Sequence, residues 1–342
     1  MEVWKKQFIR NLFPYSASRM DIERAYMIKH PHVPAKLYKY RKFPPKKWEG
    51  FSPNHLDALA KNVLWMSSPN NFNDPYDAAV YFDTDRFLVE NQSAAEFIES
   101  VNEMQRTVKA GGNWLPKKIV DPIPSGEWQR KITRELLKDS DAPHKDKLIL
   151  LIEAFFGKLS DDSAKRMSDG FRSGYSVLSL SENSSSTLMW SHYSNSHKGF
   201  VIEYDFSRLG YNDLRRRLCF PVFYTKKPRD ATRYMAKTDM TNYNCLFGQF
   251  MCLIKKDEWA YEKEWRIVDA LGARYANKEL PMPEPSAIFL GAQVAPDDEE
   301  KMRDLCHTRA IPLKKMEQRS GSYDLGVIDM PAGGRTIPTP FS

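Results

Sequence analysis

Glu262 and Glu264, one residue apart in the run WAYEKEWRIVDA, are the residues of this chain best suited to chemistry. Drawn out as a strand, the run places Glu262, Glu264, Arg266 and Val268 on one face, and Tyr261, Lys263, Trp265 and Ile267 on the other. Two carboxylates that close repel, which raises the proton affinity of one and leaves the other ionised. An ionised carboxylate beside a sugar stabilises an oxocarbenium-like transition state, while its neighbour orients or deprotonates the incoming nucleophile. The plainer use of the same residues is an ion-paired strand face, with Lys263, Arg266 or another strand as partner.

Three further sets of residues suit such a site. In SVLSLS the alternation of a strand sends Ser179, Ser181 and Val177 to one side and Leu178 and Leu180 to the other, so two hydroxyls leave together. In KLYKYRKF, Leu37, Lys39, Arg41 and Phe43 share a face opposite Tyr38, Tyr40 and Lys42. A guanidinium fixed on a strand suits a phosphate or ribose oxygen, and an ion pair with a glutamate is its ordinary alternative. Ser184, Ser185 and Ser186 supply a helix cap, after which Leu188, Met189, His192 and Tyr193 share a helix face. His192 and His197 have no carboxylate or cysteine at ligand spacing, so no metal is expected.

These residues need strands to hold them. Strands are expected near 37, 64, 78, 176, 199, 219, 264 and 287 and over Ser322 to Asp329, with Pro221 interrupting the one from Leu218 to Thr225. Helices are expected over Pro53 to Asn62, Arg229 to Lys255 and Asp297 to Thr308. Residues 84 to 170 carry three- and four-residue apolar spacing and read as a helical insertion. The fold class is therefore α+β: a mixed, mostly antiparallel sheet in a single domain over 36–330, interrupted by that insertion. Residues 1–35 form a lead-in and 331–342 a tail. Asn73 and Asp74, in SSPNNFNDPYD, read as turn residues.

A chain of 342 residues can bury a substantial core without staples. Its four cysteines form no CxxC pair, and neither a signal peptide nor a membrane-length apolar run is visible, so a soluble cytoplasmic protein is expected. The net charge of +7 gathers in Lys36 to Trp48, in Arg215 to Arg217, and in Lys226, Lys227 and Arg229, clusters that attract phosphate. A nucleic-acid-binding or processing protein, stacking bases on Trp48, Tyr38 and Tyr40, is the alternative to an enzyme. A third possibility is an interaction module, in which Arg41, Ser181 and Glu264 would lie far apart. GxGxxG, GxxxxGK[ST], HExxH and GxSxG are all missing, which disfavours dinucleotide folds, zincins and serine hydrolases.

The ordered blocks LYKYR, FNDPYD, VLSLSE, LMWSHY, KGFVIEYD, YEKEWRI and IFLG resemble the uncharacterised bacterial family termed domain of unknown function 2971. Arg41, then Ser179-Leu180-Ser181, then Glu262-Lys263-Glu264 also resemble the Arg, Ser-x-Ser, Glu-x-Glu order of ADP-ribosyltransferases, although Leu180 stands where threonine is usual. That likeness implies an NAD-consuming transferase or glycohydrolase that cleaves the nicotinamide–ribose bond, with a protein or nucleic-acid acceptor, in a toxin or phage-defence effector. Arg41 would bind the cofactor's phosphate or ribose, and Ser181 would steady the nicotinamide ribose and the catalytic acid. Glu264 would hold the ribose hydroxyl, and Glu262 would orient the acceptor. Trp190 or Tyr193 would stack on nicotinamide, with Tyr40, Ser179 and His192 beside the cofactor.

Overall fold

Apolar alternation on the strands builds the molecule. The computed structural model describes residues 1–44, 55–81, 165–166, 168–235, 242, 244–269 and 279–331. Its strands are β1 (Lys36–Arg41), β2 (Val63–Trp65), β3 (Val80–Tyr81), β4 (Ser176–Ser181), β5 (Phe200–Asp205), β6 (Cys219–Pro221) and β7 (Phe223–Thr225). They continue with β8 (Arg229–Asp230), β9 (Ile254–Lys256), β10 (Glu264–Asp269), β11 (Glu279–Pro281), β12 (Ala287–Leu290), β13 (Leu313–Gln318) and β14 (Leu325–Asp329). Eight of these form one sheet in the order β14-β13-β12-β5-β1-β4-β10-β6. All its pairings are antiparallel except β12 with β13. The α+β class with a mixed, mostly antiparallel sheet is thus what the chain forms.

One face of the sheet buries Leu37, Leu178, Leu180, Ile202, Trp265, Ile267 and Ile288 in a continuous core. On the other face the apolar residues split. Tyr40, Met189, Trp190, Val201 and Phe289 form one cluster, while Val177, Phe220, Phe223, Phe250 and Val268 belong to another. Between these two clusters the same face carries Ser179, Ser181, Glu264 and Arg266, which are cross-strand neighbours of one another. Polar residues at core positions need partners, and this is where the site lies.

Helices α1 (Val3–Leu12) and α2 (Ile22–Lys29) come from the lead-in and pack into the structure: Phe8 and Leu12 are fully buried, and Trp4 stacks 6.3 Å from Trp265. Three shorter elements follow, α3 (His55–Ala60), α4 (Thr187–Tyr193) and α5 (Leu214–Arg217). The Ser186 hydroxyl caps α4 by accepting from the Met189 amide, the role expected of the serine run.

The helix expected over Arg229 to Lys255 is not what forms. Among the described residues this stretch gives β8, α6 (Thr232–Met235), α7 (Phe247–Met251) and β9, because Ile254 to Lys256 run out to pair with β7. The helix at the C-terminal side, α8 (Pro296–Thr308), opens on a proline and three acids, as its sequence predicts. β13, which the sequence reading did not anticipate, returns beside β12. Nearly all of the expected insertion, and Trp48, lie outside the described residues. No helix among the described residues is long and apolar enough to cross a membrane.

Candidate functional site

The sheet splits at its centre. β1 pairs with β5 along all six of its residues, and β4 pairs with β10 from end to end, yet β1 and β4 meet only at Tyr38 and Ser181. Farther along, β4 turns to Ser67, whose amide and carbonyl pair with those of Val177. The triangular gap between Tyr40, Ser179 and Ser67 opens into a cavity of about 440 Å³. Small-molecule sites commonly occupy about 300–1,000 Å³.

The split reconciles residues that alternate to opposite faces. Lys39 and Arg41 share the face of Leu37, whereas Ser179 and Glu264 share the other, and all four line the cavity. Lys39 bridges the gap: its Nζ donates to the Ser179 carbonyl at 2.6 Å, replacing the amide that a paired strand would have supplied. Neither Lys39 nor Arg41 forms an ion pair among the described residues, although Glu264 and Glu262 lie close enough to act on the Lys39 charge. Burial, then the Arg41 charge, holds the Lys39 ammonium well below the ordinary lysine range. Burial also pulls the Arg41 guanidinium down to about 10, which leaves it charged at neutral pH. Beside them, burial and then Arg41 and Lys39 push His55 down to about 3, so it is neutral. Two buried ring nitrogens near this wall, His55 Nδ1 and Trp65 Nε1, have no hydrogen-bond partner among the described residues.

The opposite wall is an ion-paired network. Arg266 is fully buried and uses every N–H it has. Nη1 and Nη2 donate to Asp77 Oδ1 and Oδ2 at 2.8 and 2.6 Å, Nε and Nη2 donate to Glu264 Oε1 and Oε2 at 2.8 and 2.9 Å, and Nη1 reaches the Cys252 carbonyl at 2.7 Å. Lys255 donates to Glu262 Oε2 at 2.6 Å and Glu264 Oε2 at 3.0 Å, with Asp77 at 3.4 Å. Three carboxylates thus surround two cations, and all five side chains are buried.

The two glutamates part company as repulsion requires. Burial would raise the Glu264 carboxyl, but Arg266 and Lys255 outweigh it and hold the group well below the usual carboxylate range. For Glu262 burial wins over the pull of Lys255, and its proton affinity rises. The expected strand geometry, however, is corrected. Glu262 ends a 3-10 helix (Asp257–Glu262), and Lys263 turns left-handed with φ of 44° before β10 begins at Glu264. The carboxylates converge through Lys255, not through a shared strand face.

Of the residues the sequence singled out, Arg41, Ser179, Ser181, Glu262, Glu264, Tyr40, His192 and Tyr193 all line this cavity. Arg41, Ser181 and Glu264 therefore meet at one cavity, where the interaction-module reading expected them far apart. Their duties differ from those expected. The buried Ser181 hydroxyl donates to the Glu262 carbonyl at 2.6 Å and accepts from the Asn183 amide, which fixes the turn that carries Glu262. Ser179 is the hydroxyl that supports Glu264. Tyr40 is buried, donating to the Asn183 carbonyl at 2.8 Å. Tyr193 donates to Glu262 Oε1 at 2.7 Å, and Asn73 reaches the same phenol.

Trp190 does not line the cavity. It is fully buried, its Nε1 donates to the Ser184 carbonyl at 2.8 Å, and its ring packs on Tyr40, so no base can stack on it. Lys39, Asp77, Lys255, His55 and Trp65 were missed; a lysine and an aspartate far apart in sequence give no local signal that they will meet. Among the described residues no group of three or more His, Cys, Asp or Glu could hold a metal. The Arg215 to Arg217 run is engaged within the protein: Arg215 pairs with Asp213 at 2.6 Å, Arg216 donates to the Leu209 carbonyl, and Arg217 pairs with Glu23 at 3.0 Å.

Fold and site together define an α+β protein whose split sheet encloses a cavity with one cationic wall and one carboxylate wall. Residues 189–267, from α4 into β10, match the family model described as Protein of unknown function (DUF2971), which bears out that resemblance over this stretch. No curated protein and no solved structure matches the chain.

Proposed function

We propose that the cavity binds a phosphate-bearing nucleotide of the NAD kind and that its carboxylates promote cleavage of the nicotinamide–ribose bond. ADP-ribose then passes to water or to a protein or nucleic-acid acceptor. The observation that carries this reading is the meeting of Arg41, Ser179 and Glu264 on three neighbouring strands around one cavity, with unpaired cations facing carboxylates.

Each wall has a task in such a reaction. Arg41 offers a charged donor set to phosphate at a place where no acid competes for it. Bond breaking sends the C–N electron pair to the nicotinamide nitrogen and leaves positive charge on the ribose carbon and ring oxygen. The permanently ionised Glu264 is preorganised to stabilise that charge, since its Lys255 and Arg266 partners hold it in place before the substrate arrives. Glu262, with its raised proton affinity and its link to Tyr193, takes the acceptor's proton as the acceptor's lone pair closes on carbon.

The test uses Arg41→Gln, because Arg41 has no ion pair among the described residues and its loss should leave the fold intact. Purified protein is incubated with NAD, alone and with lysate protein, RNA or DNA, and nicotinamide release and adduct mass are followed. Losing one charge-assisted contact costs about 2 kcal/mol, or roughly thirtyfold in kcat/KM. Release that falls by this factor with an unchanged Tm supports the reading, and no release from the wild-type protein under any condition overturns it.

A further inference from the structure

Three lysines, Lys39, Lys42 and Lys255, line this cavity, and the surroundings of Lys39 and Lys255 are opposed. Lys255 is wedged among Asp77, Glu262 and Glu264, which lift its proton affinity and lock it as a cation. Lys39 has a neutral carbonyl as its hydrogen-bond partner, 2.6 Å away, and a guanidinium two residues along the same strand face. The groups that act on its charge are Arg41 from β1, Glu264 and Arg266 from β10, and Glu262 from the turn before it; burial and the arginines prevail. Where neighbouring environments push like groups apart, the groups have different chemical roles, and a lysine desolvated beside a second cation is a nucleophile in waiting.

We propose that Lys39 is a carbonyl-reactive amine, condensing with the aldehyde or ketone of a small phosphate- or carboxylate-bearing compound that Arg41 holds in the cavity. With one N–H on the Ser179 carbonyl, the neutral amine keeps its lone pair for the cavity. That pair attacks the carbonyl carbon, and the oxygen leaves as water with the two amine hydrogens, giving a C=N bond to Nζ. No electrons are gained or lost. Arg41 serves twice, by disfavouring a second positive charge at Lys39 and by fixing the anionic end of the ligand. The inference does not depend on glycosidic cleavage, and nicotinamide release is not its readout.

The experiment incubates the whole protein at pH 7 with pyridoxal phosphate as the anionic aldehyde probe, then adds borohydride, whose hydride locks any imine as a secondary amine. Peptide mapping reads which lysines carry the adduct. Lowered proton affinity leaves more neutral amine at Lys39, and Arg41 gathers the phosphate of the probe beside it, so Lys39 should label at least about tenfold faster than the exposed Lys198 and Lys301. Arg41→Gln should slow Lys39 labelling by a similar factor while the exposed lysines react as before. Lys39→Arg should remove that one adduct. A folded wild-type protein, judged by circular dichroism, in which Lys39 stays unlabelled or labels no faster than the exposed lysines overturns the proposal.

Discussion

Replacing Arg266 by lysine isolates the energetics of the carboxylate wall. The wild-type guanidinium places five N–H groups on five acceptors, four of them carboxylate oxygens of Asp77 and Glu264. Lysine keeps the charge but brings only three N–H groups and cannot reproduce the fork that matches Asp77 on both oxygens. Two buried acceptors are left short, and with hydrogen bonds to charged groups worth about 1.5–3 kcal/mol each, Arg266→Lys should cost about 3–5 kcal/mol. For a protein of this size that is about 4–7 °C in Tm. Calorimetry and urea titration at pH 7 measure it, together with Asp77→Asn and the double variant. The two single costs should exceed the double cost by at least about 1 kcal/mol, because both remove the same contact. A loss below about 1 kcal/mol for Arg266→Lys, or simple additivity, would refute the reasoning that this fork holds the wall together.

Two further outcomes follow from the same geometry. Because Glu264 is held below the ordinary glutamate range in the fold, its stabilising contribution is present above the unfolded value of about 4.3 and is lost as pH falls below it, by up to about 1.4 kcal/mol per unit. Urea unfolding of wild type and Glu264→Gln from pH 7 to pH 3 should therefore converge on acidification, and a constant difference across that range would contradict the assignment. Gly199 lies where an added Cβ would collide with the Arg41 carbonyl and sit 2.9 Å from Ser194 Cα. Gly199→Ala should thus displace the end of β1 and cost about 2–3 kcal/mol; a Tm within a degree of wild type would show that β1 yields freely.

Periodicity carried the strand reading a long way. The two-residue alternation of KLYKYR and SVLSLS placed Leu37, Leu178 and Leu180 on one core face and the serines on the other, and both strands form there. The cap at Ser186 and the acidic first turn of the helix after Pro296 were equally readable, since a helix start is a local event within one turn. The run from Arg229 to Lys255 misled because its apolar residues are buried by tertiary packing, which extends a helix-like pattern beyond the short helices α6 and α7 into β9.

The sequence by itself determined which residue types were available: an arginine on a strand, two hydroxyls on another, and two carboxylates so close that their proton affinities had to diverge. Only the tertiary structure decided how they are used. Lys263 turning left-handed took Glu262 off the strand, and Lys255 and Asp77, distant in the chain, closed the charge network around Glu264. The single pairing between β1 and β4 then opened the sheet, so residues that alternation sends to opposite faces line one cavity. Alternation is fixed by the geometry of one strand, whereas the place where two strands part depends on every contact on both sides of the sheet.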